Sequence, residues 1–360
     1  MDTILKAISK ENTNQYKKFM LFIENKKNIV IYGAGGSGNI TYNILKEKGC
    51  TISYFIDDDI DKLGKCIDGV RTLSLDDISI NDDFIIVLCV PSPVFTYKKL
   101  INKGFKNVYY LPIMMIVKNF YDTSIIKSEM KKIDAVYSLL GDEKSRKVFS
   151  DILMHRITMD FNYFNGIVDE QQYFPSDLFE LKSNECFIDG GAYDGTNTLD
   201  FIKRTNGQYN FIYMFEPDKL NYKVLLDNLI NIDNEKINVY NSGLFLESGT
   251  IKFCKNGNSS SFISEDGESE ISVVKLDDII KEHKPTFIKL DIEGSEQDAL
   301  IGMESIVSNY APKLAISIYH KPEDLWNIPL QIHEMNYKYK LYIRHYLNNL
   351  NETVCYAIEE

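Results

Sequence analysis

Lys289, Asp291, Glu293 and Glu296 crowd into one short segment, "IKLDIEGSEQDAL", at residues 288–300. Ile288, Leu290 and Ile292 alternate with Lys289 and Asp291, which is a strand pattern, and the spacing turns helical after Gly294. A buried Lys–Asp pair is costly and often no more stable than an apolar pair. Its presence on one face of a central strand therefore points to a ligand rather than to fold stability. His320 closes the next apolar run, "LAISIYH". Together these groups suit proton removal from a hydroxyl. His320 is the expected general base near neutral pH, with Asp291 orienting it or the acceptor and Lys289 keeping Asp291 ionised. Glu293 is divided between the site and the helix start. Glu296 is read as a helix-start carboxylate that complements the helix dipole. A metal site built from Asp291, Glu293 and His320 is conceivable, but each group has a simpler role, so no metal is expected.

The segment "FIDGGAYDGTNT" runs from a strand into Gly190, Gly191 and Gly195. Asp189 stands at the strand tip, and Tyr193 and Asp194 lie inside the loop. Two carboxylates would repel a pyrophosphate. They suit a ligand with an ammonium group and no phosphate, and S-adenosylmethionine, with a sulfonium, an ammonium and a ribose, is such a ligand. Glu216, in "FEPD", ends the next strand, where an acid can take both ribose hydroxyls. Taken singly, Asp189 reads as a turn-stabilising residue and Glu216 as an exposed strand-end charge. At successive strand tips with glycines between them, they favour the methyl donor. The expected donor-binding set is Asp189, Gly190, Gly191, Tyr193, Asp194, Gly195, Glu216, Asp291 and Glu293.

An earlier glycine loop, "NIVIYGAGGSG", fits G-x-G-x-x-G with Gly33, Gly35 and Gly38, and Gly36 lies inside it. Asp57 ends the following strand. Strand, glycine turn, helix and strand-end acid are the context of a dinucleotide fingerprint, in which the helix N-terminus faces phosphate. The expected ligand is a nucleotide or nucleotide-sugar; the alternative is that the glycines only build a tight turn. Tyr42 and Lys46 form a Y-x-x-x-K pair, but on the helix leaving the loop, where hydride transfer has no use for it.

These residues need strands to hold them. Apolar strands alternating with helices give an α/β fold of two doubly wound sheets. Residues 1–118 are expected to form a Rossmann-like domain opened by a helix over 1–27. Residues 119–175 read as a helical connector. Residues 176–360 hold seven or more strands, the last two antiparallel, with "NGNSSS" as a polar loop that could touch the adenine or acceptor. The chain has 360 residues, 44% of them hydrophobic, enough for two cores. A net charge of −12 disfavours duplex nucleic acid and anionic membranes. Six cysteines without a C-x-x-C pair indicate a reducing compartment without disulfides. The start of the chain lacks a signal-peptide core, and the longest apolar run, "VYYLPIMMIV", is too short to span a bilayer, so a cytoplasmic protein is expected. His155, His283 and His333 show no ligand spacing. His345 and Arg344, in the closing hairpin, could face the cleft or an acidic acceptor, but such groups are more often satisfied strand-end residues.

In order along the chain, "FIDGGAYDGTNTLDF", "FEPD", "VVKLDDI" and "FIKLDIEGSEQDALIGM" resemble the FkbM-type S-adenosylmethionine-dependent methyltransferases. The resemblance extends over about residues 140–360, and K-x-D-x-E-G-x-E is its most specific element. It implies a class I methyltransferase fold and O-methyl transfer, often to sugar or polyketide-like hydroxyls. "VIYGAGGSGNITYNILKEKGCTISYFIDDD" resembles the N-terminal domain of PglD-type sugar acyltransferases, which implies binding of UDP-sugars. Two other classes stay open: an NAD(P)-dependent sugar-nucleotide oxidoreductase or epimerase on the first loop, and a non-catalytic binding or assembly protein. The acceptor is read as a small molecule or glycan, and a homo-oligomer is left open.

Overall fold

A computed structural model describes residues 21, 24–25, 28–79, 84–90, 93–110, 120–232, 235–254, 262–263 and 269–359. The expected helix over 1–27 lies largely outside the described residues, and "NGNSSS" lies wholly outside them. The chain divides into two compact units. One is Met1–Glu129 with Ser150–Gly166 and Asn348–Leu350; the other is Met130–Phe149, Ile167–Leu347 and Asn351–Glu360.

The first unit holds β1 (Ile29–Tyr32), α1 (Gly36–Glu47), β2 (Ile52–Ile56), β3 (Cys66–Ile67), β4 (Val70–Leu73), β5 (Ile85–Leu88), α2 (Pro93–Asn102), β6 (Val108–Tyr110) and α3 (Thr123–Ser128). The strand order is β3-β4-β2-β1-β5-β6. All four residues of β1 and of β5 are buried, as unbroken Ile/Val runs require in a sheet covered on both faces. The glycine loop leaves β1 where the strand order reverses. Gly38 must lack a side chain, since a Cβ there would lie 1.8 Å from the Gly33 carbonyl oxygen.

Residues expected to form a connector are helical: α4 (Met130–Leu139) and α5 (Glu143–Thr158) follow α3, and α5 starts in the second unit and ends in the first. The second unit continues with β7 (Cys186–Gly190), α6 (Thr196–Arg204), β8 (Phe211–Phe215), α7 (Lys219–Asn228) and β9 (Ile237–Tyr240). Next come β10 (Gly243–Leu244), β11 (Gly249–Cys254), β12 (Phe262–Ile263), β13 (Ser269–Val274), α8 (Leu276–Ile279) and β14 (Phe287–Leu290). Last are α9 (Glu296–Ile301), α10 (Glu304–Tyr310), β15 (Lys313–Ser317), α11 (Asp324–Met335), β16 (Tyr339–His345) and β17 (Thr353–Glu359). Seven strands form one sheet in the order β16-β17-β15-β14-β7-β8-β9, parallel except for β17, which runs antiparallel to both β15 and β16. Four short strands make a separate sheet, β10-β13-β11-β12. A core of stacked rings, including Phe187, Phe201 and Phe287, lies against one face of the large sheet.

The large sheet reverses its order between β7 and β14, the place where an open α/β sheet forms a ligand crevice. Register then fixes the neighbours: Lys289 pairs opposite Asp189, and Leu290 opposite Gly190. Both reactive segments therefore meet at one point.

Candidate active site

Asp189 is buried and paired through both of its oxygens. Lys289 donates to its Oδ1 at 3.0 Å and Thr198 to its Oδ2 at 2.7 Å, and the Lys289–Asp189 side chains are 1% and 0% exposed. Lys289 also donates to the Gly190 and Gly191 carbonyls at 3.1 and 2.7 Å. Lys289 forms a buried clamp that ties β14 to the glycine loop, and its charge also helps to lower the Asp291 pKa, as expected. Parallel register, not shared sequence, chose the partner. Asp194 is likewise engaged locally: its Oδ1 accepts from the Thr196 amide at 3.0 Å and caps α6.

Glu216 lies one residue past β8 and is 5% exposed. Its two oxygens accept from the Tyr193 and Asp218 amides, each at 2.9 Å. Burial raises its pKa against the opposing pull of these amides. The bonds fix the carboxylate plane beside the loop and leave lone pairs for further donors. Gly191 has φ +73, and a Cβ there would fall 1.9 Å from the Asp291 carbonyl oxygen. That closeness is what lets the loop wall run down beside β14.

Asp291 stands just beyond β14. Tyr173 donates to its Oδ2 at 2.7 Å and Tyr319 to its Oδ1 at 3.2 Å. Burial alone would raise the Asp291 pKa; the His320 and Lys289 charges and the Tyr173 bond outweigh it and hold it below the ordinary value. Tyr319 also reaches Glu352 at 3.2 Å, and Gln172 donates to the same Glu352.

His320 is 5% exposed and surrounded by carboxylates. Its Nδ1 lies 2.9 Å from Glu296 Oε1; its Nε2 lies 3.4 Å from Asp291 Oδ1 and 3.6 Å from Glu293 Oε2. Burial would lower the imidazole pKa, but Glu296, then Asp291 and Glu293, raise it to about 10. With no other cation beside them, the carboxylates thus favour the protonated imidazole. The general-base role expected for it is not the one this geometry favours. Glu296 is more than a helix-start residue. It is 1% exposed, and its Oε1 also accepts from the Ile292 amide at 2.9 Å.

Sequence reasoning missed Tyr173, Tyr319 and Glu352. Their signal is conformational: among the described residues eight non-glycines have a left-handed backbone, and Tyr173, Tyr193, Glu293 and Glu352 of this site are four of them. Such strain, about 1–3 kcal/mol per residue, gathers at functional sites.

Other expected groups lie elsewhere. Arg344 is 1% exposed and bonded to Asp142 and Asp177, and His345 contacts Thr353 Oγ1 at 2.9 Å, so neither lines the crevice. His155 packs on Phe164 and His283 on Phe211. In the first unit, Asp57 Oδ2 accepts from Ala34 of the glycine loop at 2.7 Å and from Lys62 at 3.1 Å, while Oδ1 accepts from Asp59 at 2.9 Å. It closes the loop on itself. Tyr42 and Lys46 both bind Asp68.

Residues 189–346 match the family model described as the methyltransferase FkbM domain. The fold is similar to that of methyltransferase FkbM from Methylobacillus flagellatus KT, with a TM-score of 0.82 at 22% identity, covering 99% of this chain and 98% of that one. A weaker likeness is to an rRNA methylase from Streptococcus thermophilus, with a TM-score of 0.33 at 13% identity, covering 57% of this chain and 95% of that one. None of the curated proteins matches the chain. The match of residues 189–346 supports a methyltransferase. Among the described residues, no helix is long and apolar enough to cross a membrane.

Proposed function

We propose that the second unit is an S-adenosylmethionine-dependent O-methyltransferase acting on a hydroxyl of a sugar or glycan-type acceptor. The observation that carries this reading is the pairing of two half-sites at the sheet's switch point. A glycine wall with the fixed carboxylate of Glu216 lies on the β7–β8 side, and Asp291, Glu293 and His320 lie on the β14–β15 side.

The residues fit the donor. Gly191 keeps a cradle that a Cβ would fill, and Glu216 offers its remaining lone pairs to ribose hydroxyls. Asp291, held ionised, offers the charge that an ammonium or sulfonium needs, now that Asp189 is committed to Lys289. The bound donor supplies an electrophilic methyl group, whose bonding pair stays with sulfur. The Asp291–Glu293–His320 cluster orients the acceptor hydroxyl, and the Glu293 carboxylate, open to solvent, receives the proton. Half-exposed carboxylates at the mouth also accept hydrogen bonds from the neighbouring hydroxyls of a sugar, which supports the acceptor class.

Calorimetric titration with S-adenosylmethionine tests the donor half. Wild type should bind, and Glu216→Gln should bind about 10–100-fold more weakly, the worth of one or two charge-assisted hydrogen bonds. No binding by wild type, or equal binding by the variant, rejects the proposal. Mass spectrometry of methylated sugars from cells with and without the protein tests the acceptor class.

The proposal extends to the first unit, whose loop is open at Gly35, where a Cβ would meet nothing within 4 Å. Its ligand is a nucleotide or nucleotide-sugar. UDP-sugar binding should be lost in Gly35→Asp, which adds a negative charge at the loop; retained binding counts against this site.

A further inference from the structure

We infer that His320 Nε2, Asp291 Oδ1 and Glu293 Oε2 form a binding site for a divalent transition-metal ion, with Glu296 as the carboxylate that orients the histidine. The inference rests on the acceptor-side reading of this cluster and deepens it.

The two faces of the imidazole differ. On the Nδ1 side Glu296 sits at 2.9 Å, an ordinary distance for a charge-assisted contact. On the Nε2 side the carboxylate oxygens stand off at 3.4 and 3.6 Å, too far for such a contact. Donors bonded to one ion at about 2.0–2.2 Å lie roughly 3–3.5 Å from one another, close to these separations. The imidazole also lies close enough to Asp291 and Glu296 for their ligand atoms to share one metal ion.

The surroundings match. A metal-bound histidine commonly hands its other ring nitrogen to a carboxylate, which sets the tautomer. Glu296 is so placed, buried and fixed by the Ile292 amide. Tyr173 and Tyr319 aim the Asp291 carboxylate in the same way. Glu293 enters the cluster only through a left-handed backbone, φ +58, a conformation that carries strain for a glutamate. Its side chain is 38% exposed, so solvent or an acceptor hydroxyl can approach the same point. One imidazole and two carboxylates suit Mn2+ or Zn2+ better than Ca2+ or Mg2+, which favour all-oxygen shells. A cation there lowers the pKa of a hydroxyl beside it.

The test uses the full chain stripped with EDTA and titrated with MnCl2 alone. Loss of the free Mn2+ EPR signal should show one ion bound per chain, and pulsed EPR should show a directly bonded nitrogen. Glu293→Gln, at a half-exposed position, should weaken binding by at least about tenfold, and Glu296→Gln by about 10–100-fold. His320→Gln should remove the nitrogen signature. The absence of saturable Mn2+ binding, or equal affinity in the Asp291→Asn/Glu293→Gln double variant, overturns the inference. Donor titration separates the two readings. S-adenosylmethionine bound without Mn2+ binding sinks the metal site alone, whereas Mn2+ bound without donor binding upholds the site and sinks the methyl-transfer reading.

Discussion

Replacing Lys289 with methionine should destabilise the second unit by about 3–5 kcal/mol, the cost of leaving a buried charge without its partner. Lys289 and Asp189 are 1% and 0% exposed, so water cannot take over for the missing ammonium. The substitution also takes from the Gly191 carbonyl the donor that Lys289 supplies, while the Gly190 carbonyl keeps its bond from the Asp291 amide. Methionine preserves the stem and the volume, so lost packing contributes little. The same account makes a second, sharper demand. Lys289→Met combined with Asp189→Asn removes both charges and keeps a group able to bond Thr198, so it should recover more than half of the lost stability. The chain has a single tryptophan, Trp326, buried in α11 of the second unit, and its fluorescence during urea unfolding reports this unit. If Lys289→Met unfolds at the wild-type midpoint, the clamp is not stabilising. If the double variant is as unstable as the single one, the stranded charge is not the cause.

That clamp also marks the limit of what the sequence discloses. The strands were legible because their runs are apolar on both faces, as in "NIVIY" and "CFIDGG". The positions of Glu216 and Asp291 just past strand ends were legible because each acid follows such a run. The partner of Lys289 was not. Asp291, two residues away, looked nearest, yet register set Asp189, far back in the chain, directly opposite. Glu296 was misjudged for a related reason: helix-start carboxylates are usually solvated, and only burial against His320 distinguishes this one. Tyr173 falls in a stretch without strand pattern and was read as connector, since a left-handed φ leaves no trace in composition.

Gly191→Ala should disable both halves of the site at once. Two costs add. At φ +73 an alanine pays about 1–2 kcal/mol for the left-handed backbone. Its Cβ would also lie 1.9 Å from the Asp291 carbonyl oxygen, and that oxygen belongs to backbone at the tip of β14. Backbone cannot swing aside as a side chain does, so the loop and the strand tip must separate, at a further 1–3 kcal/mol, roughly the cost of overpacking. The separation has a functional direction. Moving Asp291 draws its carboxylate away from Tyr173 and His320, while moving the loop disturbs Tyr193, whose amide fixes Glu216. Donor affinity should therefore fall at least about tenfold, a loss of roughly 1.4 kcal/mol or more in binding. Gly207→Ala is the matched control. It lies in the same unit at φ +72, but a Cβ there meets nothing within 4 Å. It should lose only the conformational term and keep full donor affinity. Equal losses in the two variants would mean that backbone strain alone explains Gly191, and that the close approach of loop to strand does not shape the donor site.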